Sequence, residues 1–308
     1  MSNPVLDNSR ISKHLGQISE YKSTYDPGLL VSEPRANNRK HLNISDDDLP
    51  FVGFDTWNAY EVSGLTDSGL PVAGVAKIQY PCDSKYIVES KSIKLYFNSF
   101  NMHKCGQDAA AALLNISQLA TKDLSDLLQT NVQVCVQASS VANNNREEYI
   151  FGEQYYTLED RLHAELSGTL FETYQETPEL LSKEKINGDV FVGKYHSALL
   201  KSNCRVTSQP DWGDIYIHMN TTMYKPVDID LLKYIISFRD ECHFHEEICE
   251  TVYTRLANYY EPTELCVTCL YARRGGIDIN PTRASHDFLL PAALADVTVV
   301  HKLSLIHI

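Results

Sequence analysis

The stretch LLKSNCRVTSQPDWGD, residues 199–214, carries one cysteine on an apolar lead-in and an aspartate seven residues later, just past a Gln-Pro break. A thiolate attacks electrophilic carbon, and a carboxylic acid held beside it can protonate the atom that takes up the charge. Pro210 removes a ladder donor and bends the chain, which brings Asp211 round towards the Cys204 thiol. A buried, inert thiol is the commoner fate of a cysteine on an apolar run, so the spacing alone leaves both readings open.

Other residues of the right type are scattered along the chain. Glu246 falls in the first turn of a helix that starts near Phe244, where the helix dipole favours a carboxylate; held there, it can accept two hydrogen bonds from the N–H edge of a guanine-like ring. A solvated surface glutamate is the plainer alternative. His245 shares a helix face with Cys249, Val252 and Leu256, the pattern of a hydrogen-bonded core histidine. Glu89 and Ser90 suit a helix start, or they offer acceptors to a ligand at that helix end. In ARRGGIDINP, residues 272–281, two arginines precede two glycines that let backbone approach a ligand closely, although a solvated hairpin has the same composition. The chain has no G-x-G-x-x-G after a strand and no P-loop, so a nicotinamide cofactor would be held without a Rossmann turn. Cys266 and Cys269, three apart on a strand, point to opposite faces and lack a second C-x-x-C, and HEEIC at 245–249 has Cys249 where a zincin needs its second histidine. No metal site is expected.

The composition fits work on a small molecule. The net charge of -13 over 308 residues argues against gripping nucleic acid or an acidic membrane surface. The longest apolar stretch, 288–300, is broken by Pro291 and Asp296 and is too short for a bilayer, and the first thirty residues lack a signal-peptide core. A cytoplasmic protein is expected, its eight cysteines reduced.

Periodicity says what must position these residues. Strand patterns run over Trp57–Ser63 and Val72–Tyr80, a helical stripe over Gln107–Gln129, and alternation over NVQVCVQA at 131–138. The second half repeats the order: a strand over Asp214–Asn220, helices from Asp228 to about Asp240 and from Phe244 to Tyr260, and a strand over Leu265–Arg274. LYFNSFN at 95–101 echoes KYIISFR at 233–239. The expectation is an α+β protein of two tandem β-β-α-α-β-β units, each an antiparallel sheet backed by helices. The first occupies residues 1–145 with a polar N-terminal extension, 146–190 connects, and 191–308 carries Cys204.

Taken together, ESKSIKLYFNSF, LLKSNCRVTSQPDWG, SFRDECHFHEE and YARRGGIDINP, in that order, resemble the long, two-module form of NADPH-dependent 7-cyano-7-deazaguanine reductase, a nitrile reductase of queuosine biosynthesis. The likeness runs from about residue 21 to 285, and the ending after about Pro291 departs from it. The resemblance implies two tunnelling-fold modules, a homodimer, and reduction of the nitrile of 7-cyano-7-deazaguanine to an aminomethyl group with NADPH, through a covalent thioimide. It makes Cys204 the nucleophile and Asp211 the proton donor. It gives Val88, Glu89, Ser90, His245 and Glu246 to the deazaguanine, and Ser90, Lys91, Arg274 and Gly275 to NADPH. Arg205 stands where short forms have proline, a change expected to be neutral. Two other functions compete: a zinc-dependent cyclohydrolase of the same fold, which needs a Cys/His metal set, and a non-catalytic module that binds a purine-like metabolite.

Overall fold

The computed structural model describes residues 21–139, 150–151, 155–186 and 188–299. Its principal strands are β1 (Val52–Thr66), β2 (Pro71–Pro81), β3 (Gln133–Ala138), β4 (Phe191–Cys204), β5 (Pro210–Thr221), β6 (Cys242–His243), β7 (Glu264–Tyr271) and β8 (Ile277–Ala284). Its principal helices are α1 (Ser90–Ser99), α2 (Ala109–Leu128), α3 (Asp228–Ser237) and α4 (His245–Tyr260). In chain order the second half reads β4-β5-α3-β6-α4-β7-β8, and the first reads β1-β2-α1-α2-β3, among these principal elements of the described residues.

Local chemistry fixes the helices. Asp108 caps α2 by accepting from the Ala111 N–H at 2.8 Å, and Ala112, Ile116, Ala120, Leu124 and Leu128 form its buried stripe at a spacing of four. Glu89 caps α1, taking the Ser92 N–H at 2.8 Å. Glu247 reaches back to the Phe244 N–H at the head of α4.

The strands join in one sheet of order β6-β4-β5-β7-β8-β1-β2-β3, every one of these pairs antiparallel except β6 with β4. The join between halves is β8 against β1, from Ile277 opposite Ala59 to Ala284 opposite Val52. Sequence patterning does not show β8, because Asp278, Asn280, Thr282 and Arg283 deny it an apolar signature, yet all eight of its residues are buried. Their polar groups are satisfied across the seam: Asp278 accepts from Asn58 Nδ2 and the Tyr60 hydroxyl, both at 2.7 Å.

Two apolar cores lie under the helices, one around Trp57, Ile78, Phe97 and Ile116, the other around Ile217, Leu231, Ile248 and Val267. β8 lends Ile277 and Ile279 to the first, while Phe51 and Cys82 of the first half enter the second. Between the cores runs a buried ionic network. Arg283 donates to Asp55 at 2.8 Å and to Glu250 at 2.7 Å; Arg39 forks onto Glu250 at 2.8 and 2.9 Å; Arg35 pairs with Asp55. Burial pushes the Asp55 and Glu250 carboxyls up, and the surrounding guanidinium groups outweigh it, holding both below the usual carboxylate range.

Residues 292–299, beyond Pro291, are built in. Lys77, itself buried, donates to the carbonyls of Ala293, Asp296 and Val299 at 2.6, 2.7 and 3.0 Å, and Leu294 packs with Phe54, Tyr216 and Leu270. Among the described residues no helix is long and apolar enough to cross a membrane.

Removing Arg283 strips a donor from two buried carboxylates at once. Arg283→Met is therefore expected to cost about 3 to 5 kcal/mol of stability, the usual consequence of breaking a buried pair from one side. Urea unfolding measures it; a loss below about 1 kcal/mol, the range of an exposed pair, would show that the network contributes little.

Candidate active site

Cys204 ends β4 and Asp211 begins β5, so the bend expected at Pro210 is a hairpin rather than an isolated kink. Pro210 lies opposite Asn203 and Asp211 opposite Ser202. The turn between is tight: the Cys204 N–H donates to the Gln209 carbonyl at 2.8 Å, and the Cys204 carbonyl accepts from the Ser208 N–H at 2.9 Å. Cys204 is half-buried and lines a cavity of about 220 Å³.

Every residue that the resemblance gives to the site lines that cavity; Arg273, the other arginine of the glycine turn, lies over the Tyr60 ring instead. Val88, Glu89, Ser90 and Lys91 enter from the head of α1, Cys204 and Asp211 from the β4–β5 hairpin, His245 and Glu246 from the first turn of α4, and Arg274 and Gly275 from the β7–β8 turn. Gly275 and Gly276 both have positive φ, 56° and 82°, which the turn requires. Both halves of one chain thus contribute to a single site. The lining also includes six residues not selected from their sequence positions: Trp57, Lys94, His243, Phe244, Ile277 and Ile279. Lys94 lies one helical turn beyond Lys91, a spacing that could have signalled it.

The polar groups differ in how they are satisfied. Glu89 is buried and already engaged, its carboxylate accepting from the Lys91 and Ser92 N–H groups at 3.3 and 2.8 Å. Helix start and cavity wall are one role here. His245 stacks on Tyr271, ring centroids 3.8 Å apart, and its Nε2 lies 3.5 Å from Asp211 Oδ2. The core-histidine expectation accounts for the packing but not for that contact. Asp211 also accepts from Arg274, which in turn donates to Thr207 Oγ1 at 3.2 Å. Burial pushes the Asp211 carboxyl up, but His245 and Arg274 overcome it and hold it below the usual range.

Glu246 is the exception. It is 3% exposed and its Oε1 has no hydrogen-bond partner. Burial first, then the nearby Asp55 charge, pushes its carboxyl up to about 8. A buried acceptor with nothing to accept from is costly unless a ligand supplies the donor. The solvated-surface alternative for Glu246 does not hold.

Phosphate groups suit the cations on the cavity wall. Lys91, Lys94 and Arg274 bring positive charge to the head of α1, and Gly275 leaves the backbone open beside them. The residues present therefore fit a phosphorylated dinucleotide.

A buried carboxyl with an open acceptor, a thiol and a second carboxyl on one cavity wall, and cations on the same wall suit a small-molecule enzyme of α+β class with an antiparallel sheet. Comparison with known proteins narrows this. Residues 21–136 match the family model described as nitrile reductase, 7-cyano-7-deazaguanine-reductase N-term, and residues 210–288 match a QueF-like protein model. Proteins named NADPH-dependent 7-cyano-7-deazaguanine reductase are 38% identical in Colwellia psychrerythraea, covering 88% of this chain and 91% of that protein, and 37% identical in Aromatoleum aromaticum, covering 94% and 97%. The one from Legionella pneumophila strain Corby is 38% identical over 91% of this chain and 92% of its own. The chain belongs to the NADPH-dependent 7-cyano-7-deazaguanine reductase family, as its four motifs suggested.

The raised Glu246 carboxyl has a sign that can be measured. The folded state holds this proton more tightly than the unfolded chain, whose glutamate titrates near 4.5, so stability falls as pH rises from there towards about 8. Glu246→Gln imitates the protonated form and should flatten that slope. Urea unfolding of both proteins from about pH 5 to about pH 8 tests it; parallel slopes would assign the proton elsewhere.

Proposed function

We propose that this chain reduces the nitrile of 7-cyano-7-deazaguanine to the aminomethyl group, using NADPH and a covalent link to Cys204, in the pathway to queuosine. The observation that carries this reading is the buried Glu246 carboxyl, its Oε1 without a partner, lining the same cavity as Cys204 and Asp211: one group to accept from the ring's N–H edge, and a thiol and an acid to act on its substituent. Val88, Glu89, Ser90 and His245 complete the ring pocket. Family membership supports the same reaction.

The chemistry explains the residue types. Asp211, ionised at rest by Arg274 and His245, can take the thiol proton, leaving a Cys204 thiolate and a neutral acid. As the sulfur bonds to the nitrile carbon, one carbon–nitrogen π bond opens and Asp211 returns the proton to nitrogen. The product is a thioimide, a far better hydride acceptor than the nitrile. NADPH, when bound, would supply hydride to carbon twice per turnover; two solvent protons complete the balance, one going to nitrogen with the second hydride and one restoring the Cys204 thiol. Between the two reductions Cys204 leaves as thiolate, giving an imine that the apolar walls of Trp57, Ile277 and Ile279 shelter from water. Ser90, Lys91, Arg274 and Gly275 are the residues proposed to hold the cofactor.

The finer architecture proposed is two tandem tunnelling-fold modules, 1–145 and 191–308, joined by 146–190, with the chain acting as a homodimer in the cytoplasm and without binding nucleic acid. The repeated element order and the two apolar cores support the modules.

Loss of NADPH absorbance on mixing protein, nitrile and NADPH tests the reaction, with two NADPH consumed per amine formed. Cys204→Ala should abolish turnover and, by intact-protein mass spectrometry without NADPH, the adduct. Turnover by this variant, or an adduct on another cysteine, would overturn the assignment. Asp211→Asn should slow adduct formation about a hundredfold.

Ligand binding carries a second expectation. Ring N–H donors stabilise the Glu246 anion, so nitrile affinity in a Cys204→Ala background should rise as pH rises towards about 8. Glu246→Gln should weaken binding by about 2 to 3 kcal/mol and remove the dependence. Calorimetric titration at several pH values decides; a pH-independent affinity in the parent would separate Glu246 from the ring.

A further inference from the structure

Arg205, the residue after the nucleophile, is not a free surface cation. Its guanidinium donates to Asn38 Oδ1 at 2.7 Å and to Glu247 at 2.9 Å, and it lies 5.3 Å from the centre of the Phe244 ring. Each anchor belongs to a different fixed element. Asn38 is buried in the short helix Ala36–Arg39, whose last residue forks onto Glu250 in the ionic network. Glu247 is 1% exposed and is shared with His243, whose Nδ1 lies 2.9 Å away. His243 is itself held on its other side by Glu241 at 2.9 Å and pairs in register with Cys204 in the parallel β6–β4 ladder.

Cys204 is thereby gripped from both sides, through the strand pairing of its own residue with His243 and through the side chain of its neighbour. The two grips meet on one carboxylate, Glu247. Burial opposes charge on His243, but Glu241 and Glu247 raise it to about 9, so an imidazolium and a guanidinium together neutralise this buried anion. Proline at position 205 could supply none of these contacts.

From this geometry we infer that Arg205 is a positioning residue for nucleophilic attack, fixing the Cys204 turn against the head of α4 so that sulfur meets the substrate carbon at bonding angle and distance. The inference rests on the thioimide reading above. A reacting atom displaced by about 1 Å commonly costs a hundredfold in rate, so the loss should appear in the bond-forming step rather than in binding.

The test follows three quantities in the full chain: the rate of nitrile adduct formation without NADPH, nitrile affinity in a Cys204→Ala background, and the rate at which iodoacetamide alkylates Cys204, resolved by peptide mass spectrometry. Arg205→Leu should slow adduct formation about ten- to a hundredfold while affinity and alkylation stay close to the parent's. Arg205→Lys should recover part of the rate, keeping the charge towards Glu247 but losing the fork that spans to Asn38. If the leucine variant does not fold, Arg205→Gln carries the test with the same expected slowing. A parent-like adduct rate in a folded leucine or glutamine variant overturns the inference. So does an equal fall in alkylation, which would mean that Arg205 acts on the thiol's own reactivity. A parent protein that forms no adduct would instead sink the thioimide reading.

Discussion

The cavity depends on a pairing that has no part in its wall. Arg283 in β8, Asp55 in β1 and Glu250 in α4 meet at 2.7 to 2.8 Å where the two halves of the sheet join. Transferring such groups from water costs several kcal/mol each, repaid only when every charge is met by hydrogen bonds. Arg35 and Arg39 make up the balance from the segment before β1, so the N-terminal helix, the seam strand and α4 can lie in one arrangement only. That arrangement faces the head of α1 towards the β4–β5 hairpin, and the site exists between them.

The same network explains the behaviour of Glu246. Three guanidinium groups are already matched by Asp55, Glu250 and, at the rim, Asp46. One turn of α4 separates Glu246 from Glu250, close enough to feel the Asp55 charge but with no cation left to pair. Its proton is the cheapest counter-charge available. Neighbouring carboxylates on one helix thus take opposite states: Glu250 ionised and structural, Glu246 neutral until donors arrive. Glu247, between them, is tied to Arg205 and His243 and holds the hairpin.

Much of this was legible in the sequence, and the rest was hidden for physical reasons. Helix α2 and strand β5 show their period because each buries one apolar face or stripe, while α4 and β7 are buried more completely and still space their apolar residues at the helical and alternating periods. β8 does not, because half of its buried residues are polar, among them Asp278, which is satisfied by Asn58 from 220 positions away. Cys204 and Asp211 were a pair on spacing, and the hairpin, which sets Asp211 opposite Ser202, brings both to the wall of one cavity. Their chemical roles came from the family likeness and not from spacing. His243 and Arg205 carried no signal, since their meaning lies in Glu247, Glu241 and Asn38, which are brought to them only by folding.

Asp211 shows how the site can serve acid and base chemistry with one carboxyl. Burial alone would keep it protonated; Arg274 and His245 keep it ionised. Arg274 is also a residue proposed to hold the cofactor, and it is nearly half exposed, whereas Asp211 is almost wholly enclosed. A phosphate drawn to Arg274 competes with Asp211 for the same N–H donors. To the extent that it succeeds, the balance at Asp211 shifts back towards burial and its protonated form is favoured. On the proposed mechanism, cofactor occupancy and the readiness of the acid are then linked through a single guanidinium, and the position of Arg274 at the cavity rim, between the Gly275 turn and the hairpin, is what makes that link short.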